Sequence, residues 1–127
     1  MIAIRQLMTP QLITVEAGTS AIEAAKLMRA HQIGSVFVQR EHRIVGIVTE
    51  TDIVRKIVAG DRVSYFVPVD QVMSSPVIGI EEHRPITEAA DLMEEHRARH
   101  LAVTKAGRIV GVVSVRDLLR PVSIDEF

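Results

Sequence analysis

The stretch Arg43-Ile-Val-Gly-Ile-Val-Thr-Glu-Thr-Asp52 returns as Arg108-Ile-Val-Gly-Val-Val-Ser-Val-Arg-Asp117, displaced by 65 residues. Each copy runs a short apolar segment into a hydroxyl residue and places a carboxylate three positions later. A short β-branched run reads as a buried strand, and hydroxyl-x-x-acid is a spacing with which helices begin. The same offset aligns Gln6–Arg55 with Gln71–Arg120 without a gap, and 18 of the 50 aligned positions are identical. Unrelated sequences of ordinary composition would share about three. Further matches are Glu23-Ala-Ala with Glu88-Ala-Ala, Leu27-Met28 with Leu92-Met93, and His31 with His96. The chain is an internal duplication.

Each copy predicts the order β-α-β-β-α. Extended pieces at Leu12–Val15 and Val77–Ile80 precede helices over about Ala21–His31 and Ile86–His96. Thr19-Ser20 opens the first helix, with Ser20 and Glu23 at capping-box spacing, and Pro85 opens the second. Ile22, Ala25 and Met28 are expected on one face of the first helix, and Ala89, Leu92 and Met93 on that of the second. Hairpins join Ser35–Gln39 to Arg43–Thr49 through Glu41-His-Arg, and Leu101–Lys105 to Arg108–Ser114 through Ala106-Gly107. A second helix begins near Asp52 and near Asp117. The predicted fold class is α+β, with repeats over 6–59 and 71–122 joined by 60–70. Half of this chain would bury too little surface to be stable alone, so the repeats are expected to pack about a pseudo-two-fold axis, with clefts at the seam.

Composition narrows the function classes. The 127 residues carry 15 Lys+Arg against 16 Asp+Glu, a net charge of −1, so nothing draws the chain as a whole towards nucleic acid or an anionic membrane. With no cysteine there is no disulfide framework, thiolate nucleophile or Cys-based zinc site. The longest apolar runs, Ile44–Val48 and Ile109–Val113, fall far short of a membrane span, and the start lacks the pattern of a signal peptide. A cytoplasmic protein is the expectation. The glycines never form Gly-x-Gly, and neither Gly-x-Ser-x-Gly nor His-Glu-x-x-His occurs. His96 and His100 are four apart, but a helix is expected to end between them and no third ligand has suitable spacing. No metal site and no enzymatic activity are predicted.

The repeated hydroxyl-x-x-Asp segments admit two readings. In the structural one, Thr49 and Ser114 cap helices, and Asp52 and Asp117 complement the helix dipole in the first turn. In the functional one, each carboxylate accepts hydrogen bonds from the hydroxyls of a ribose, as acidic residues do in dinucleotide sites.

Met-x-x-x-hydrophobic, a helix with Ala-Ala-x-Leu-Met, a hairpin and Gly-h-h-[Thr/Ser]-x-x-Asp, all given twice, resemble a tandem cystathionine β-synthase-type (CBS) domain pair over about Gln6–Val122. The resemblance implies a non-catalytic regulatory module that binds an adenosine-containing ligand: AMP, ADP, ATP, S-adenosylmethionine or NAD(H). It implies two crossed sites. In one, Thr49 and Asp52 hold ribose while Ile78, Gly79, Ile80, Arg99, His100 and Leu101 form the base pocket. In the other, Ser114 and Asp117 hold ribose, with Thr14, Val15, Glu16, Gly34, Ser35 and Val36 from the first repeat. Arg99, His100 and Arg116 would favour the more highly phosphorylated ligand at Asp52, where the second site offers Gly34, Ser35 and Thr51. Arg55 and Arg120, a turn past each aspartate, face phosphate or water. The chain departs from the family pattern at Phe37 and Ala102, where proline is common, so Phe37 either narrows a cleft or fills the core. Met28 and Met93 are expected in the core. The resemblance further implies a homodimer burying the second helices, with output through self-association or a separate effector protein. The alternative is an interaction scaffold that binds no nucleotide.

Overall fold

A computed structural model describes residues 1–10 and 12–120. Two compact units are present among them, one formed by Leu12–Val77 and the other by residues 1–10 together with residues 78–120.

In the first unit β1 (Thr14–Glu16) leads to α1 (Ala21–His31), β2 (Ser35–Arg40), β3 (Arg43–Thr49) and α2 (Glu50–Asp52), which continues as a π-helix over Ile53–Val58. The second unit repeats this with β4 (Gly79–Glu81), α3 (Ile86–His96), β5 (His100–Lys105), β6 (Arg108–Ser114) and α4 (Val115–Leu118). Each sheet has three strands, in the orders β1-β2-β3 and β4-β5-β6; the first pair is parallel and the hairpin antiparallel. This is the α+β class expected of the duplication. Among the described residues no helix is long and apolar enough to cross a membrane.

Ser20 caps α1 by accepting from the Glu23 N–H, and Pro85 occupies the same cap position in α3, one place before the first helical turn. The face that α1 buries is Ala21, Ala24 and Met28; Ile22 and Ala25 are only half-buried. The expected stripe was one residue off at its N-terminal end because Ala21 is drawn inward, its N–H donating to Val67 O at 2.7 Å. In α3 the buried residues are Ala89 and Met93, with Leu92 packed at the edge of the core. Both hairpins turn through two residues. Glu41 and His42 have φ of 51° and 64°, and Ala106 and Gly107 have 51° and 77°. These left-handed pairs match the strand twist, so the first turn has the same shape without a glycine.

The leading segment of each sequence repeat packs in the unit of the other repeat's hairpin. Residues 2–9 lie against the turn between β4 and α3 and against the second hairpin: Ile86 N–H donates to Ile2 O, Ile4 N–H to Arg84 O, Arg5 N–H to Glu82 O, and Thr9 and Val112 exchange two hydrogen bonds of 2.8 and 3.0 Å. Residues 67–74 do the same in the first unit, through Val67, Val69, Asp70 and the Ser74–Ile47 pair. Gly46 and Gly111 are required by these contacts. A Cβ on Gly111 would stand 2.5 Å from Thr9 O, and one on Gly46 would overlap Met73 Sδ. The stretch 60–70 between the repeats therefore contributes buried Val67 and Val69 to the core formed by Val36, Val38 and Val48. Ile4 fills the corresponding place beside Leu101, Val103 and Val113. Met28 and Met93 belong to these cores, and Phe37 is buried at 2 % exposure.

Candidate functional site

β3 ends at Thr49 and β6 at Ser114, and each residue opens the helix that follows. Thr49 Oγ1 accepts from the Asp52 N–H at 3.1 Å, while Asp52 Oδ2 accepts from the Thr49 N–H at 2.9 Å and from its hydroxyl at 3.1 Å. Ser114 Oγ accepts from the Asp117 N–H at 3.1 Å, and Asp117 Oδ2 accepts from the Ser114 N–H at 2.8 Å. These are reciprocal capping boxes with aspartate in the third helical position. The capping reading of Thr49, Asp52, Ser114 and Asp117 thus describes what they do within their own elements. It also fixes each carboxylate in orientation, with Asp52 buried and Asp117 half-buried.

The second oxygen of each carboxylate faces a cation. Lys56 Nζ lies 2.9 Å from Asp52 Oδ1, and Arg120 Nη2 lies 3.3 Å from Asp117 Oδ1. Arg120 was expected to face phosphate or water; it faces the aspartate. In the first unit the partner is Lys56 and not Arg55, which is exposed. The π-helical winding of Ile53–Val58 widens the turn, so residue 55 falls short of a full turn from Asp52 and residue 56 arrives there. A basic residue four places after an acid is a signal that helix spacing could have supplied.

Within each unit the hairpin brings further expected residues to these caps. Glu50 N–H donates to Gly34 O at 3.0 Å and Ser35 pairs with Thr49, so Gly34 and Ser35 adjoin the Asp52 cap. Val115 N–H donates to Arg99 O at 2.9 Å and His100 pairs with Ser114, so Arg99 and His100 adjoin the Asp117 cap. Val36, Leu101, Val15 and Ile80 are buried in the cores, which leaves mainly their backbone groups for recognition. Thr14 and Glu16 pair with Phe37 and Gln39, and Gly79 with Ala102, on the strand farthest from each cap. Ile78 O accepts from the Ala102 N–H. Arg116 is exposed on α4, and Arg97 and Arg99 rim an apolar groove of about 440 Å³ lined also by Met93, Leu118 and Leu119.

α3 ends at His96 and β5 begins at His100, with Arg97 left-handed between them. A group not singled out from the sequence is Glu81, Glu82 and His83, whose ligand-capable atoms lie within 4.8 Å of one another. The buried Glu82 carboxylate has His83 Nε2 at 3.4 Å and Lys105 Nζ at 3.9 Å.

Comparison with known proteins agrees with the geometry. The CBS domain family matches twice, at residues 4–59 and 69–123. An uncharacterized 17.7 kDa protein of Acidianus ambivalens is 38% identical over 92% of this chain and 71% of its own length. Among solved structures, a hexameric CBS-CP12 protein from bloom-forming cyanobacteria is similar with a TM-score of 0.89 and 26% identity, over 99% of this chain and 74% of that one. A CBS domain protein from Pyrobaculum aerophilum complexed with AMP is similar with a TM-score of 0.81 and 27% identity, over 94% and 92%. The duplicated β-α-β-β-α unit, the paired capping boxes and these matches together make the chain a member of the CBS domain family, with two CBS domains in tandem.

Proposed function

We propose that the chain is a regulatory module that binds adenine nucleotides, with Asp52 and Asp117 accepting the hydroxyls of a ribose. The observation that carries this reading is the pair of oriented carboxylates at the ends of β3 and β6, in a family with an AMP-bound member of similar fold. An ionised carboxylate only accepts hydrogen bonds, and a ribose presents two neighbouring hydroxyl donors. Because the cap already fixes the carboxylate, little ordering remains to oppose binding. AMP, ADP and ATP are the favoured ligands, with S-adenosylmethionine and NAD(H) as the other adenosine carriers. The resemblance pairs Asp52 with Arg99 and His100, and Asp117 with Gly34 and Ser35. A double-mutant cycle between Asp52→Asn and Arg99→Ala in ATP binding tests the first pairing.

Catalysis is not proposed. Output through a homodimer fits the exposed apolar residues on the second helices, Val54 and Val58 in one unit and Val115 and Leu119 in the other. Light scattering of Val54→Asp and Leu119→Asp tests that interface. A cytoplasmic location and a separate effector protein complete the proposal.

The competing reading, a scaffold that binds no nucleotide, draws on the same capping boxes, since capping alone gives both aspartates a role. Calorimetric titration with AMP, ATP, S-adenosylmethionine and NADH separates the two. The sensor reading expects binding below millimolar concentration that Asp52→Asn with Asp117→Asn removes while the melting temperature stays near wild type. Unchanged binding in the double variant, or no binding by the wild type, refutes it.

A further inference from the structure

Lys56 and Arg120 make one bridge at two places that the sequence repeat does not align. Lys56 Nζ lies 2.9 Å from Asp52 Oδ1 and donates to Val72 O at 2.8 Å. Arg120 Nη2 lies 3.3 Å from Asp117 Oδ1 and donates to Leu7 O at 2.7 Å. Leu7 and Val72 are 65 residues apart, as are the two aspartates, so carbonyls and carboxylates are duplicates of each other. The cations are not: the 65-residue counterpart of Lys56 is Pro121, and that of Arg120 is Arg55. Different side chains at shifted positions converge on the same pair of acceptors.

Both carbonyls belong to the leading segments that pack in the unit of the other repeat. Val72 lies in the stretch whose Ser74 N–H donates to Ile47 O at 2.8 Å, and Leu7 lies two residues before Thr9, whose N–H donates to Val112 O at 2.8 Å. On each carboxylate Oδ2 is engaged by the cap. Oδ1 is the oxygen with the most freedom to receive a new donor, and the cation stands on it. A ribose hydroxyl and the cation therefore compete for one atom.

We propose that Lys56 and Arg120 are straps that hold the leading segments in place while the aspartates are empty, and that a ribose releases them by taking Oδ1. This rests on the adenosine reading above and adds its regulation. Release from Oδ1 weakens the hold on Val72 or Leu7, so occupancy at each aspartate is transmitted to a segment covalently joined to the other repeat. The ligand shifts this equilibrium only by its differential affinity for the strapped and released states, and the contest for Oδ1 supplies that difference.

Lys56→Met keeps the aliphatic stem and removes the charge, and adenosine is the probe because it offers a freed lysine no phosphate. The variant should bind adenosine about two- to fivefold more tightly, the range expected for losing a partly exposed ion pair. Amide exchange at Met73 and Ser74 should be faster in the ligand-free variant than in the wild type. Adenosine should accelerate it in the wild type and leave the variant unchanged. Arg120→Met should act likewise at Thr9, and gives an independent readout if one substitution prevents folding. Unchanged or weaker adenosine binding, with unchanged exchange in a folded variant, overturns the strap. Binding lost in Asp52→Asn but indifferent to Lys56→Met overturns the strap alone. A wild-type chain that binds neither adenosine nor AMP overturns the adenosine reading and the release step with it.

Discussion

Gly111→Ala should be among the most damaging single-methyl additions to this chain, for a reason that lies in the other repeat's sequence. A Cβ at residue 111 would stand 2.5 Å from Thr9 O, 3.2 Å from Met8 Sδ and 3.3 Å from Pro10 Cα. The first and last are backbone and cannot rotate away, so residues 8–10 must lift off β6. That movement breaks the two hydrogen bonds between Thr9 and Val112, of 2.8 and 3.0 Å, each contributing about 1 kcal/mol. It also loosens Met8, which packs against the core beside Ile4. Overpacking of this kind costs about 1–3 kcal/mol, so with the two hydrogen bonds the expected loss is about 3–5 kcal/mol. Gly46→Ala should cost somewhat less, because its first obstacle is the flexible Met73 thioether, although Ser74 O at 2.9 Å keeps the penalty real. Gly79→Ala is the control: its Cβ would meet Thr104 Cγ2 at 3.6 Å, an ordinary contact. Urea denaturation followed by far-ultraviolet circular dichroism measures all three. A Gly111→Ala chain within about 0.5 kcal/mol of wild type, or no less stable than Gly79→Ala, would refute the close docking of residues 8–10 on β6.

His42→Gly should stabilise the chain by about 0.5–1 kcal/mol, because φ of 64° strains a residue with a Cβ and not glycine; a melting temperature no higher than wild type contradicts this. Glu82→Ala should be close to neutral in urea denaturation, since Lys105 is exposed enough to be solvated without it. Ala17→Glu, the reverse exchange at the duplicate position, should cost about 2–4 kcal/mol, because a buried carboxylate would arrive where Arg40 is already paired with Asp70. Arg99→Ala should weaken ATP binding more than adenosine binding, as loss of a phosphate partner requires; equal losses in calorimetry would remove Arg99 from the phosphate site.

The elements were largely legible because hydrophobic period, turn residues and caps agree with one another in both copies. α1, α3, β3 and β6 have the bounds that the repeat predicts. The Asp52 and Asp117 caps were legible from the same spacing, because a capping box is a local interaction over three residues. What could not be read was everything that depends on which surface a segment finds. The inner stripe of α1 is set by the Ala21–Val67 hydrogen bond, and nothing in Ala21–His31 announces Val67. The repeat draws attention to Arg55, the duplicate of Arg120, and away from Lys56, whose four-residue spacing from Asp52 is the better guide and which the π-helical winding brings onto the aspartate. The first hairpin turn has two left-handed residues with no glycine to mark them.

The docked segments also explain a pair of differences between the copies that look unrelated in sequence. Duplicate positions 5 and 70 carry opposite charges, Arg5 and Asp70, and duplicate positions 82 and 17 carry Glu82 and Ala17. The structure joins them: Arg5 N–H donates to Glu82 O, and Asp70 N–H donates to Ala17 O. In the first unit the acid comes from the docked segment, and Asp70 pairs with Arg40 at 2.8 Å. In the second the docked segment brings a further cation, and the acid comes instead from the strand end as Glu82, facing Lys105, the duplicate of Arg40. A basic side chain at the tip of β2 or β5 thus meets one carboxylate in either copy, supplied from opposite sides of the same backbone contact. The exchange makes sense only if residues 2–9 and 67–74 are integral to the units in which they dock. Cutting the chain at the sequence repeats would therefore separate each hairpin from the segment that completes its core.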